Sequence, residues 1–429
     1  MIPSISDIIE TIKNRMDEIL DWTKRLMSFP SENKPPTGYE GKAQMFLKNE
    51  LLELGLDVYD FYPDEIKNIE KHPYWLKGRD YSNNRKNLVA TWKGIRPGRS
   101  LLLSGHIDVA PKEPDKWTVC RPYEPLVKDG RLCGRGSADM KGGLSSMFWA
   151  IKILKEFNFN PEGEIIFESL VDEEYAGGNG TLAARLKGFN ADFAIISEPS
   201  RMEICPASLG AFLGKIKIEG RSGMPYMGKG LPNPVNAVSR LIGFMEDWQS
   251  EWRRINSHPL FKEQGKELNV ILWDMVSGKR EEFVQMEVPS EVSISWIVFC
   301  YPGTEEKDFY KIFLNYINSR IKRDEYLRNF NIDIMKEYHF VRPWETDIEN
   351  EGVKEISKVY REYCGITPGI GGAPFSCDLA LYGDPGGMPA IILGPRGGNL
   401  HAPDEWVLVE DILTLTGIYA YFITKWCSN

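Results

Sequence analysis

The chain is 429 residues long, 42% hydrophobic, with a formal net charge of −9 and an isoelectric point near 5.4. That length exceeds one ordinary core, so two domains, or one large domain carrying an insert, are expected. The acidic balance and the lack of a long Lys/Arg run exclude a nucleic-acid or anionic-membrane footprint and leave a small molecule or peptide as the partner. No stretch is apolar enough to span a bilayer, and the charged N-terminus lacks the apolar run of a signal peptide. Seven cysteines, an odd number without a C-x-x-C pair, argue for reduced thiols in a cytoplasmic protein.

In chain order, apolar periodicity predicts helices over 5–28 and 39–55, then strands at "NLVATW" (87–92) and "LLLSGHI" (101–107). A helix over 141–156 follows, then strand 164–171, helix 178–187 and strand 193–197. From about Gly210 to Tyr338 the order changes to strand (213–219), helix (234–256), strands (268–275 and 291–299), helix (305–322) and strand (331–337). That is the β-α-β-β-α-β order of a ferredoxin-like unit. Helix 350–363, strand "AIIL" (390–393) and helix 410–426 return to the first pattern. Alternation of buried strands with helices predicts a mostly parallel sheet flanked by helices, an α/β fold. The expected division is a discontinuous domain of 1–209 and 339–429 with a lid domain, 210–338, inserted in it.

Chemistry-bearing residues collect where these strands end. His106 and Asp108 follow "LLLSG", Asp139 lies in "GRGSADMKGG", Glu173 and Glu174 in "VDEEYAGG", Glu198 in "SEPS" and His401 in "NLHAPDEW". Ligands gather at the carboxyl ends of strands in open α/β sheets. Each residue alone is weak, since an Asp before Gly-Gly is usually only a helix cap. Together they place two of the five histidines beside acidic residues in Gly/Pro-punctuated loops, a donor set of imidazole and carboxylate that suits Zn²⁺ or Co²⁺.

"SGHIDVAP", "GRGSADMKGG", "DEEYAGGNGT", "ISEPS" and "GNLHAPDEW" occur in the order and approximate spacing of the di-zinc aminoacylase superfamily, which includes acetylornithine deacetylase, succinyl-diaminopimelate desuccinylase, aminoacylase and glutamate carboxypeptidase. The resemblance runs over essentially the whole chain. It implies two divalent ions, zinc or cobalt, with His106 and Glu198 on one, Glu174 and His401 on the other, and Asp139 bridging. It further implies Glu173 as general base and a cis bond between Asp139 and Met140. Asp108, on the same side of its strand as His106, is expected to accept the proton of the ring nitrogen that does not bind metal.

Other residues have milder readings. His72, His258 and His339 read as loop or interface residues. Arg396 in "GPRGGN" is a candidate partner for a substrate carboxylate, with an exposed loop arginine as the alternative. Cys377, in "GGAPFSCDLA", is expected to line the substrate pocket without a catalytic thiol role.

The lid departs from the family pattern. Where the family has a histidine that stabilises the oxyanion, this chain has Met224, which cannot donate a hydrogen bond. The family's asparagine before Val-Pro, and its aspartate and arginine on the next strand, fall at Met286, Trp296 and Val298; Tyr226, Lys229 or His258 are possible substitutes. A lid offering Met224, Tyr226, Met227, Met286 and Trp296 suits an apolar or unusual substrate. The expected activity is hydrolysis of the amide bond of an N-acylated amino acid or related amine. A dipeptidase or carboxypeptidase is the alternative, and a catalytically silent metal-binding homologue a third. A homodimer through the lid is expected.

Overall fold

In the computed structural model, the structure describes residues 2–112, 116–175, 178–224, 231–263, 265, 267–277, 287–335 and 340–428. It divides into two compact units: residues 1–207, 345–373 and 377–429, and residues 208–344 with 374–376. The second unit begins two residues before, and ends six after, the limits of 210 and 338 read from the sequence.

The first unit is built on a nine-stranded sheet. Four strands in its middle, Ile165–Leu170, Leu101–His106, Phe193–Ile196 and Ala390–Ile392, run parallel to one another, while Asn87–Trp92, Asp57–Phe61 and Ile204–Ser208 add antiparallel flanks. Every residue of Leu101–His106 is buried, which is why the run is apolar without alternation. Leu101, Leu103, Phe167, Ile195 and Ile391 point into one cluster with Trp22, Phe148, Trp149 and Phe422 from the surrounding helices. Helices Gly142–Glu156 and Val409–Trp426 are buried nearly all round, as helices apolar on every face must be. The stretch expected as one helix over 5–28 is two, Ile5–Asn14 and Met16–Met27, separated at Arg15, whose backbone leaves the helical region.

Two glycines decide how the central helix meets the sheet. A Cβ on Gly142 would collide with the carbonyl oxygen of Ser137, and one on Gly143 with the carbonyl of Ser197. The Gly-Gly of "DMKGG" therefore lets the start of the helix press against the end of strand Phe193–Ile196. This close approach carries Asp139 to the loop that bears Glu198.

The second unit has a five-stranded sheet in the order Val270–Ser277, Glu291–Cys300, Gly210–Glu219, Asn331–Met335, with Phe340–Val341 also pairing to Gly210–Glu219. Helices Pro234–Ile255 and Glu306–Arg323 complete the ferredoxin-like order. Its core is aromatic: Trp296 lies 4.7 Å from Phe313 and stacks on Phe212 at 5.9 Å, and Trp248 stacks on Trp252 at 5.1 Å. Trp296 faces Gly214 across the strand pair, and a side chain at Gly214 would run into the indole ring. Trp296 is thus a core residue of its own unit, which corrects the expectation that it is offered to a substrate. Val298 is buried with it. Tyr226, Met227, Lys229, Met286 and His339 lie outside the described residues. Met224 is described and exposed. No described helix is long and apolar enough to cross a membrane, and all seven cysteines are free.

Candidate active site

Three neighbouring parallel strands of the first unit end side by side and deliver the cluster. His106 closes Leu101–His106, Glu173 and Glu174 follow Ile165–Leu170, and Glu198 follows Phe193–Ile196. His401 comes from the loop after the fourth, Ala390–Ile392, and Asp139 from the kinked turn before helix Gly142–Glu156. The Asp139–Met140 peptide bond is cis, as the resemblance implies.

Two triads share Asp139: His106, Asp139 and Glu198, and Asp139, Glu174 and His401, with the ligand-type atoms of each within 4.8 Å of one another. His106 Nε2 stands 3.0 Å from Asp139 Oδ1 and 3.3 Å from Glu198 Oε1. His401 Nε2 stands 3.2 Å from Asp139 Oδ2 and 2.8 Å from Glu174 Oε2. Glu173 belongs to neither triad, although its Oε2 lies 3.9 Å from His106 Nε2.

The charges do not balance among these side chains. Burial pushes the Glu173 carboxyl well above its usual range, and the neighbouring charges of Glu198, Asp378 and Glu174 add to the push. Burial likewise raises Glu198 to about 7. The negative charge of Glu174 holds His401 up to about 11. Asp139 is lowered despite its burial, because both imidazoles face it. Four carboxylates crowd two imidazoles, of which His106 is buried and His401 exposed, a donor set and charge excess that divalent cations fit.

Asp108 does not act as expected. His106 Nδ1 donates to the backbone carbonyl of Asp108 at 2.8 Å, while the Asp108 carboxylate stands 3.7 Å from that nitrogen. The carboxylate instead accepts the backbone N–H groups of Glu174 at 3.0 Å and Glu173 at 3.4 Å, and the Asn33 amide at 2.8 Å. The ring tautomer is set by a carbonyl, and Asp108 holds the turn that carries both glutamates.

The scaffold of that turn is not marked by the motif pattern. Asp172, with a left-handed backbone at φ 75°, accepts Arg85 Nη2 at 2.8 Å, Tyr81 Oη at 2.8 Å and the Arg79 guanidinium, which also reaches Asn33. The first acid of "VDEE" was its signal: three consecutive carboxylates can only coexist near a core when one is spent on arginines. Arg135 and Glu405, a second buried pair inside the quoted motifs, were missed as well.

Of the two expected substrate contacts, one lies apart from the triads and one beside them. The Arg396 guanidinium is paired with Asp411, through Nε at 2.8 Å and through Nη2, and is not brought to the cluster. Cys377 is buried, and burial with the charges of Asp378, Glu198 and Glu173 holds its thiol well above its usual range. It is a protonated thiol near the carboxylates. His72 accepts the Tyr74 N–H, and His258 caps a short 3₁₀ turn.

Residues 102–425 match peptidase family M20/M25/M40. The N-formyl-4-amino-5-aminomethyl-2-methylpyrimidine deformylase of Bacillus subtilis (strain 168) is 26% identical over 452 residues, covering 100% of this chain and 99% of its own. The succinyl-diaminopimelate desuccinylase of Nautilia profundicola is 24% identical over 380 residues, covering 85% and 95%. Among solved structures, the di-peptidase Dug1p of Saccharomyces cerevisiae shares the fold with a TM-score of 0.79 at 13% identity, covering 100% of this chain and 99% of its own.

Proposed function

Because the chain belongs to peptidase family M20/M25/M40 and is a metal-dependent hydrolase of amide bonds, we propose that it is a deacylase that frees a small amine from its N-acyl form. The observation that carries this reading is the pair of triads sharing Asp139, with Glu173 beside them and in neither. His106, Asp139 and Glu198 would hold one zinc or cobalt ion, and Asp139, Glu174 and His401 the other. Such a pair of cations supplies Lewis acidity towards an amide carbonyl and makes water a competent nucleophile near neutral pH.

The remaining work falls to this chain's own groups. Glu173 takes a proton from the attacking water and returns it to the leaving nitrogen, which must be protonated to depart as an amine. Asp108 keeps Glu173 and Glu174 aimed in different directions by fixing the backbone between them. The cytoplasm suits the seven free cysteines.

Two observations favour an acylated amine without a carboxylate. The deformylase relative is similar over both full lengths. Strand Glu291–Cys300 carries no arginine, and Trp296 and Val298 are shut into the core of their own unit, whereas a substrate carboxylate is best held by a bidentate guanidinium. Incubating the zinc- or cobalt-loaded protein with N-formyl, N-acetyl and N-succinyl amines, the matching amino acids and dipeptides tests the proposal. Turnover of short-chain N-acyl amines is expected. Turnover of dipeptides alone would make it a peptidase, and no metal-dependent turnover of any amide would make it a silent homologue.

We also propose a homodimer through the second unit. Strand Val270–Ser277 pairs only with Glu291–Cys300 among the described residues and exposes Ile271, Trp273 and Met275, an edge that a second copy would cover. Light scattering at micromolar concentration should give a dimer, and a monomer there would refute it.

A further inference from the structure

Arg135 and Glu405 form an ion pair at 2.8 Å with both side chains only 1% exposed, and neither belongs to the triads. The Glu405 carboxylate collects three N–H groups from one turn, those of Gly136 at 3.1 Å, Ala138 at 3.0 Å and Asp139 at 3.2 Å. Arg135 Nη2 reaches the backbone carbonyls of His401 at 3.1 Å and Pro111 at 3.3 Å. Pro111 follows Ala110, whose N–H donates to Glu174 Oε1 at 3.1 Å. One buried pair therefore grips the backbone beneath Asp139, His401 and the contact that orients Glu174, all three members of the second triad.

The first triad is held differently. His106 is fixed by its strand and by the Asp108 carbonyl, and Glu198 by the turn after Phe193–Ile196, where its carbonyl accepts the Ser200 N–H at 2.7 Å. Only Asp139 is common to both. Buried ion pairs contribute little net stability compared with apolar residues of the same size, so stability alone does not account for a pair that satisfies five backbone groups of three separate loops.

We infer that Glu405, oriented by Arg135, is a positioning residue that sets Asp139 against Glu174 and His401 and so governs affinity for the second metal ion more than for the first, which shares only Asp139 with it. The inference rests on the two-metal reading above. Its test is a Co²⁺ titration of the metal-free wild type and of Glu405→Gln, followed by calorimetry and by visible absorption of the bound cobalt. Glutamine keeps the size of the side chain but turns an NH₂ towards N–H donors. The wild type should take two equivalents. The variant should take the second about 10- to 100-fold more weakly and the first with a clearly smaller loss.

A second equivalent bound as tightly as in the wild type, or both equivalents weakened alike, overturns the inference and leaves the two-metal reading standing. A wild type that takes one equivalent overturns that reading, and the inference with it. Circular dichroism of the metal-free proteins checks that the variant is folded. Should Glu405→Gln not fold, Arg135→Lys carries the same expectation, because it keeps the charge and loses the fork that spans Glu405, His401 and Pro111.

Discussion

The two units use burial in opposite ways. In the first, Glu40, Arg85, His106, Asp108, Arg135, Lys141, Glu168, Asp172, Arg185, Glu198 and Glu405 are all buried, whereas the buried polar residues described in the second are Ser208 and Ser295. Charge in a low-dielectric interior is costly unless paired, and the first unit pairs it: Arg85 with Glu40 and Asp172, Arg185 with Glu168, Arg135 with Glu405. What is left over after that pairing is the cluster around Asp139, together with Asp108 on the backbone N–H groups of Glu173 and Glu174 and Lys141 on the carbonyls of Leu26 and Phe29. The second unit packs tryptophan and phenylalanine between sheet and helices and keeps its charges outside. The contrast locates chemistry in one unit and packing in the other, since perturbed, buried ionisable groups mark functional sites.

Four substitutions could break or sharpen that contrast. Asp139→Ala should have the largest effect, removing the ligand common to both triads: elemental analysis should find both metals lost and turnover gone, and a fully loaded variant would show that Asp139 bridges nothing. Glu173→Gln should come next, retaining both metals while kcat falls by about 10²- to 10⁴-fold; metal loss there would mean that the roles of Glu173 and Glu174 are exchanged. In the second unit, Trp296→Ala should cost about 3 to 5 kcal/mol of stability through the cavity it leaves, read as a lowered denaturant midpoint with metal content unchanged. Metal loss from the folded variant would erase the division of labour. Arg396→Ala should have the smallest effect on turnover, with KM unaltered, although it costs stability by leaving the buried Asp411 carboxylate without its guanidinium; a tenfold or greater rise in KM would return Arg396 to the substrate.

Met224 sharpens the comparison from the side of the second unit. If an apolar substrate group packs on this exposed methionine, Met224→His should raise KM and leave kcat within about tenfold. A gain in kcat beyond that would mark Met224 as a lost oxyanion donor.

The candidate ligands were legible because each sits where a buried strand meets a Gly-rich turn, a local pattern that survives in one dimension. The parallel strands were legible for the same reason, being unbroken apolar runs such as "LLLSGHI". The hairpin of Leu126–Lys128 and Arg131–Cys133 was overlooked although "KDGR" carries its signal, with Asp129 and Gly130 both left-handed, at φ 51° and 73°. Short antiparallel flanks such as Asp57–Phe61 alternate burial too weakly to stand out. In the second unit, the sequence suggested a surface of Met and Trp, but Trp296 turned inward because Gly214 opposite it leaves room for the indole.

The sequence by itself determined the α/β class, the inserted ferredoxin-like unit, and the identity of the residues that gather around Asp139, because hydrophobic period and turn chemistry are written locally. Tertiary structure alone decided which atoms do the holding. The carbonyl rather than the carboxylate of Asp108 orients His106, Asp172 is consumed by Arg79 and Arg85, Arg396 is drawn to Asp411, and Arg135 meets Glu405 across 270 residues of chain. A buried charge chooses its partner by distance and desolvation in three dimensions, and neither quantity is written in the spacing of residues along the chain.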